Sequence, residues 1–201
     1  MSKKVMLRNV RLSYEHIFTP SALDDSQEKK YSATFIIPKD HPDLPAIKRA
    51  LFEAGQEKFA AAFVPGKPWP MGYTNVLKDG DKDVNGSGEV LGEKNPEYAG
   101  CYVLKASAAA SRRPVVLGRR KEALTEQDGV VYSGCYINAS VAFAGYEFGK
   151  VKKGVTCYLN GVQFVADGER FGSDATSDFD ELDSADDTDW LGVDSDEDLP
   201  F

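Results

Sequence analysis

The chain has 201 residues, with 24 Lys plus Arg against 32 Asp plus Glu, a formal net charge of −8 and a pI near 4.9. Taken as an average, that charge argues against a protein that grips a polyanion. No apolar run approaches the roughly 20 residues a membrane span needs, so a membrane protein of the helical kind is not expected.

Residues 3–14 alternate apolar and polar side chains, but the phase slips between Leu7 and Val10. The pattern predicts a long strand with a bulge near Asn9. Residues 15–29 are polar and contain Thr19-Pro20 and Asp24-Asp25, so a loop is expected there. From Lys30 the alternation is clean, with Tyr31, Ala33, Phe35 and Ile37 on one face, until Pro38 ends the strand. From Pro42 to Phe63 the period becomes helical, with Leu44, Ile47, Leu51, Phe52, Phe59 and Phe63 spaced by threes and fours. Asp40 or Asp43 is the candidate N-cap, and Pro65-Gly66 is a stop signal. Residues 65–99 carry Pro65, Pro68, Pro70, Pro96 and several glycines, and are expected to form a long, partly mobile loop.

The second half reads as strands: Gly100 to Ala109, Pro114 to Leu117, Val130 to Phe148 as one strand or a hairpin, and Gly154 to Val165 with a kink at Asn160-Gly161. Several strands, one helix and Gly-rich turns predict a mainly β fold, an OB-like antiparallel barrel with one substantial helix and long loops. The strand count alone equally permits an SH3-like barrel or a sandwich.

The chain closes on a segment of different character. Arg170 is its last basic residue, and residues 172–201 hold 12 acidic and no basic side chains. Removing them leaves 20 acidic and 24 basic residues in 1–171, a net of +4. The expected organisation is one folded domain over 1–171 and a disordered acidic tail over 172–201, which has too few apolar residues to build a core. Met1-Ser2-Lys3-Lys4-Val5 lacks the apolar stretch of a signal peptide. Cys101, Cys135 and Cys157 are odd in number and sit in apolar runs, so reduced buried thiols and a cytoplasmic setting are expected.

Alternation around Cys135 places Cys135, Ile137, Ala139, Val141 and Phe143 on the core face. The opposite face carries Tyr136, Asn138, Ser140, Ala142, Ala144 and Tyr146, two aromatics on a small, polar surface. Single-stranded nucleic acid is held by such surfaces, because every base has a face that stacks on a ring. The plain alternative is that both tyrosines pack under the helix or a loop. Arg112 and Arg113, then Arg119, Arg120 and Lys121, then Lys150, Lys152 and Lys153 lie at hairpin ends flanking that face, where they suit a phosphate backbone, although solvated loop charges would look the same. Phe148, Lys105 and Trp69, the last within Lys67-Pro68-Trp69-Pro70, are further candidates for the same groove.

The tail ends Asp196-Glu197-Asp198-Leu199-Pro200-Phe201, acids closed by an apolar tip and the terminal carboxylate. Such a tip works as a portable ligand: the ring and Leu199 enter an apolar pocket while the acids steer toward a basic rim.

At these residues the sequence resembles known proteins. The tip is similar to that of bacterial single-stranded-DNA-binding proteins and to the acidic, Phe-ended tails of phage counterparts such as that of phage T7. The body, over roughly residues 5–170, resembles a phage family once catalogued as a domain of unknown function, whose members include single-stranded-DNA-binding proteins with an OB fold. The matching stretches are Arg11-Leu12-Ser13-Tyr14, Tyr31-Ser32-Ala33-Thr34-Phe35, Leu77-Lys78-Asp79-Gly80-Asp81, Arg113-Pro114, Tyr132-Ser133-Gly134-Cys135-Tyr136 and Leu159-Asn160-Gly161-Val162-Gln163. The resemblance implies single-stranded DNA as ligand, and replication, recombination or repair proteins as partners of the tip. Whether the assembly is a monomer or a dimer stays open.

Catalysis is not expected. His16 and His41 lie in no metal-ligand spacing, and the cysteines form no CxxC pair, so neither zinc nor another cofactor is called for. Gly86-Ser87-Gly88 sits in an acidic loop, outside the strand-to-helix context of a phosphate loop. Asp79, Asp81 and Asp83 could serve a metal-dependent nuclease, but alternate acids in a Gly-rich loop are more often solvated turn residues. The expected protein binds single-stranded DNA in an infected bacterial cytoplasm. The rival is an acidic DNA mimic that blocks a host enzyme.

Overall fold

The computed structural model describes residues 2–22, 28–149 and 152–171, all within a compact unit that spans Met1–Phe171. The expected disorder of 172–201, the tip Asp196 to Phe201 and Lys150 lie outside the described residues.

Seven strands form one sheet: β1 (Lys3–Ser21), β2 (Lys30–Pro38), β3 (Leu77–Asp79), β4 (Cys101–Ala109), β5 (Val115–Leu117), β6 (Tyr136–Phe148) and β7 (Lys152–Ala166). β1 lies between β2 and β6, β2 pairs with β4, and β6 pairs with β7, all antiparallel. A parallel contact between Ser107 of β4 and Tyr158 of β7 closes the ring. The five ring strands therefore run 1-2-3-5-4 and back to 1, the OB-like order, with β3 added beside β4 and β5 beside β7.

Closing so small a ring demands sharp curvature, and bulges supply it, two of them placed by register on β1 and β7. On β1, Leu7 faces Ala139 and Val10 faces Ile137, which inserts one extra residue. Asn9 takes it up at φ 52, a left-handed conformation that asparagine tolerates. The slip turns both Leu7 and Val10 inward, and both are fully buried. On β7, Asn160 is the extra residue between Leu159 and Gly161 opposite Val141 and Ser140. The core inside the ring includes Leu12, Phe35, Ile37, Leu104, Ile137, Val141, Phe143 and Leu159.

Helix α1 (Leu44–Lys58) sets Leu44, Ile47, Leu51 and Ala54 into that core and packs mainly on β6 and β1. It is shorter than the expected 42–63. Phe59 caps it, and the chain then folds back so that Phe63 fills the notch left by Gly55, where any Cβ would lie 2.3 Å from the ring. Phe52, Phe59, Phe63, Trp69 and Tyr73 stack into one aromatic cluster.

Three expectations need correction. Residues 15–29 are not all loop: β1 runs to Ser21, because Ile17 reaches the core with 1% exposure. Residues 65–99 are structured, with β3, a helical turn α2 (Leu91–Lys94) and a 3-10 turn at Pro96–Tyr98. Val130 to Cys135 is a turn leading into β6, with Gly134 at φ 111 and its N–H donating to the Leu12 carbonyl. The three cysteines form no disulfide; Cys135 and Cys157 are buried, and burial pushes the Cys157 thiol far up.

Candidate functional site

In β2 the side chains opposite Tyr31, Ala33 and Phe35 are Lys30, Ser32 and Thr34. In register beside them on β4 stand Ala109, Ser107 and Lys105. Lys30, Ser32, Thr34, Lys105 and Ser107 form the floor of an open groove of about 570 Å3. His16 and Ser21, from the far end of β1, make one wall, and Val76 and Lys78 make the other. Lys30 and Lys105 are exposed and form no ion pair among the described residues; Lys78 is 3.7 Å from Asp83. Lys30 and Lys105 stand on the floor among the hydroxyls of Ser32, Thr34 and Ser107, Lys78 stands on a wall, and Glu28 also lines the groove.

One end of the groove is sealed. Ile36, Tyr98 and Val103 form a second small core there, with Leu91, Cys101 and Phe171 packed against it. Arg11 fastens Phe171: its guanidinium lies 4.2 Å from the ring centroid and donates to the carbonyls of Gly134 and Glu169 at 3.2 and 2.6 Å. Tyr132 secures the preceding turn through Gly168 N–H and its carbonyl, 3.1 and 3.0 Å away.

Of the residues singled out in the sequence, Lys105 alone lines this groove. Tyr136 and Tyr146 are ten residues apart on β6, about 33 Å along an extended strand, and the structure does not bring them together. Tyr136 sits near the Arg11 guanidinium (5.6 Å) and Gly168, while Tyr146 pairs with Gly154 at the opposite end. Ala142, between them, is buried. Trp69 belongs to the aromatic cluster, its ring 4.8 Å from Phe63 and its Nε1 donating to the Tyr73 carbonyl. Phe148 is 78% exposed at the end of β6, with Lys152 opposite it. Lys153 lies over the Tyr73 ring at 4.4 Å. Arg112 and Arg113 are exposed in the turn after β4, and Arg119, Arg120 and Lys121 in the turn after β5.

The acids considered for a nuclease are otherwise engaged. Lys39 Nζ lies 2.6 Å from Asp79 Oδ1 and 2.6 Å from Asp81 Oδ2. Asp83 accepts from the Asp79 N–H. Among the described residues no group of three His, Cys, Asp or Glu side chains converges as a metal site.

Sequence reasoning passed over His16, Lys30, Ser32, Thr34, Lys78 and Ser107. The signal was present for Lys30, Ser32 and Thr34, because alternation already turned them outward. What it lacked was the neighbour: only the 1-2-3-5-4 order sets them beside Lys105.

Residues 3–191 match the family described as Enterobacter phage Enc34, ssDNA-binding protein. The chain is 36% identical, over 94% of its own length and 98% of the relative's, to protein p50 of Acyrthosiphon pisum secondary endosymbiont phage 1. It superposes on the single-stranded DNA-binding protein from bacteriophage Enc34 in complex with ssDNA with a TM-score of 0.67 and 27% identity, over 85% of this chain and 90% of that one. It also shares its fold with gp2.5, a single-stranded DNA binding protein encoded by bacteriophage T7, at a TM-score of 0.59 and 16% identity over 92% and 98% of the two chains. With a match across nearly its whole length, the chain belongs to the phage Enc34 single-stranded-DNA-binding protein family.

Proposed function

We propose that this chain binds single-stranded DNA without sequence preference, in the groove across β2 and β4. The observation that carries the reading is the pair of cations Lys30 and Lys105, in no ion pair among the described residues, standing among the hydroxyls of Ser32, Thr34 and Ser107 on the outer face of the second and third ring strands. That is the face on which OB barrels take oligonucleotides. Family membership and the DNA complex of the Enc34 protein support the same ligand. Backbone contacts dominate, and the protein acts without a cofactor and without catalysis, in replication, recombination or repair of phage DNA in the host cytoplasm.

The acidic segment has two roles in this proposal. Its Asp196-Glu197-Asp198-Leu199-Pro200-Phe201 tip recruits replication, recombination or repair proteins, and its 12 carboxylates compete with DNA for the basic groove. Phe171, the last residue of the compact unit, packs against residues that also line the groove.

The groove is tested with Lys30→Ala and Lys105→Ala combined, by fluorescence anisotropy of labelled oligo-dT over a salt series. Each lost phosphate contact lowers the slope of log K against log salt by about 0.7. The pair should therefore lose about 1.4 of slope together with affinity. Unchanged slope and affinity would place the strand elsewhere.

A further inference from the structure

The outer surface carries a second hollow, of about 370 Å3, across β1, β6, β7 and β5. Met6, Ser140, Gly161 and Val115 lie side by side in one row across those strands. Met6 and Val115 are 45% and 57% exposed, unusual for apolar side chains on a strand facing water. Asn138, Asn160 and Gln163 bring amides to the lining, beside Leu117 and Val162. Asn138 accepts from Asn9 N–H and donates to Gln163, which in turn donates to the carbonyls of Gly118 and Arg119. That chain of bonds anchors the turn bearing Arg119, Arg120 and Lys121 to the hollow, with Lys121 in its lining. The Nδ2 of Asn160, the bulged residue, is buried there without a partner among the described residues, and an unmatched buried donor costs stability.

Apolar walls for the faces of a ring, amides for its edge and cations for its phosphates are the elements by which proteins hold an unstacked base. The hollow and the groove share no lining residue, but the β4–β7 seam joins the strands that carry them. Ser107, in the groove, is the register partner of Tyr158, which is 45% exposed, and Asn160 follows two residues along β7. From Ser107 to Tyr158 is about 5 Å and from Tyr158 to Asn160 about 7 Å, a short span for a nucleotide chain. Small Ala142, beside Tyr158 in the same row, keeps the passage low.

We propose that single-stranded DNA leaving the groove crosses the β4–β7 seam by stacking on Tyr158 and inserts a base into the hollow lined by Met6, Val115, Ser140, Asn160 and Gln163. This rests on the groove reading and extends it: the binding path runs around the barrel, and the hollow is engaged only by strands longer than the groove.

The test compares a short oligo-dT of about four nucleotides with one of about twelve, within the range that one OB barrel covers. Both are titrated against the full native chain and against Tyr158→Ala combined with Val115→Glu. The variant should bind the short strand as the native chain does and lose roughly tenfold or more for the long one, the loss expected for one stacked base. Iododeoxyuridine placed singly along the long strand should photocrosslink to Tyr158 or Met6 in the native chain. Equal loss for both lengths, loss for neither, or crosslinks confined to groove residues would overturn the proposal. A native chain that binds neither length would overturn the groove reading along with it.

Discussion

Lys39 stands where β2 ends, and its ammonium joins that strand to the turn after β3 through Asp79 and Asp81, both at 2.6 Å. Burial pushes the Asp79 carboxyl up, but hydrogen bonds from Lys39 and the Asp81 N–H outweigh it and hold the group below its ordinary 3.8. Asp81 is also held below 3.8, by Lys39 first and then by the Gly100 N–H. The two carboxylates in turn raise Lys39 above its ordinary 10.5. Depressed carboxyl values contribute stability that is present above 3.8 and is lost as pH falls through the folded values. The raised lysine contributes stability present below 10.5 and lost only beyond its folded value. Lys39→Met takes from Asp79 the larger of the two hydrogen bonds that offset its burial, so acid unfolding followed by circular dichroism should begin at higher pH than in the native chain. An unmoved acid transition would mean that the contact is energetically idle. In the sequence, Asp79, Asp81 and Asp83 looked like solvated acids or a metal set, because no local spacing reveals a lysine arriving from another strand. Tyr158 was hidden for the same reason: alternation turns it outward, but only the ring closure sets it beside Ser107.

The β6–β7 hairpin and the segment around Tyr73 hold each other through Gly154. Thr74 N–H donates to the Lys153 carbonyl at 2.9 Å, and Val155 N–H to the Thr74 carbonyl at 3.1 Å. A Cβ at position 154 would fall 2.4 Å from the Thr74 oxygen and 2.5 Å from its nitrogen, both backbone atoms that cannot swing aside. Gly154→Ala should therefore part the segment from the hairpin, at a cost of about 1–3 kcal/mol. Urea unfolding reads that loss, and Trp69, whose neighbours include Phe63 and whose indole bonds the Tyr73 carbonyl, should shift its emission to the red. A substitution without effect on either would mean that the approach relaxes freely. Elements were legible here in proportion to how locally they are determined. The inward faces of β2 and β6 follow from period alone, and the Asn9 and Asn160 bulges from breaks in it. The C-terminal limit of α1 did not, since Phe59 and Phe63 keep helical spacing while belonging to a chain that has turned back. Nor did the tyrosines of β6, whose shared face means little when a strand of 13 residues carries them to opposite ends.

Charge segregation between +4 over residues 1–171 and −12 over 172–201 needed no geometry to read, and in the proposed function it turns the overall −8 from an argument against DNA into a competition. In the groove reading, Lys30, Lys78 and Lys105 are offered to two polyanions, one of them tethered. Removing the tethered one should favour the other. A chain ending at Phe171 keeps the ring that packs on Arg11 and on the Ile36 cluster, so the compact unit loses none of its described contacts. At about 0.01 M salt, where the screening length is about 30 Å, this truncated chain should bind oligo-dT more tightly than the full chain. At about 1 M, where the length is about 3 Å, the two titrations should converge. Convergence is the discriminating part, because a tail that merely hindered DNA by bulk would leave a gap at every salt concentration. Equal affinities at low salt would show that the acids do not reach the groove, leaving recruitment through the tip as their single role.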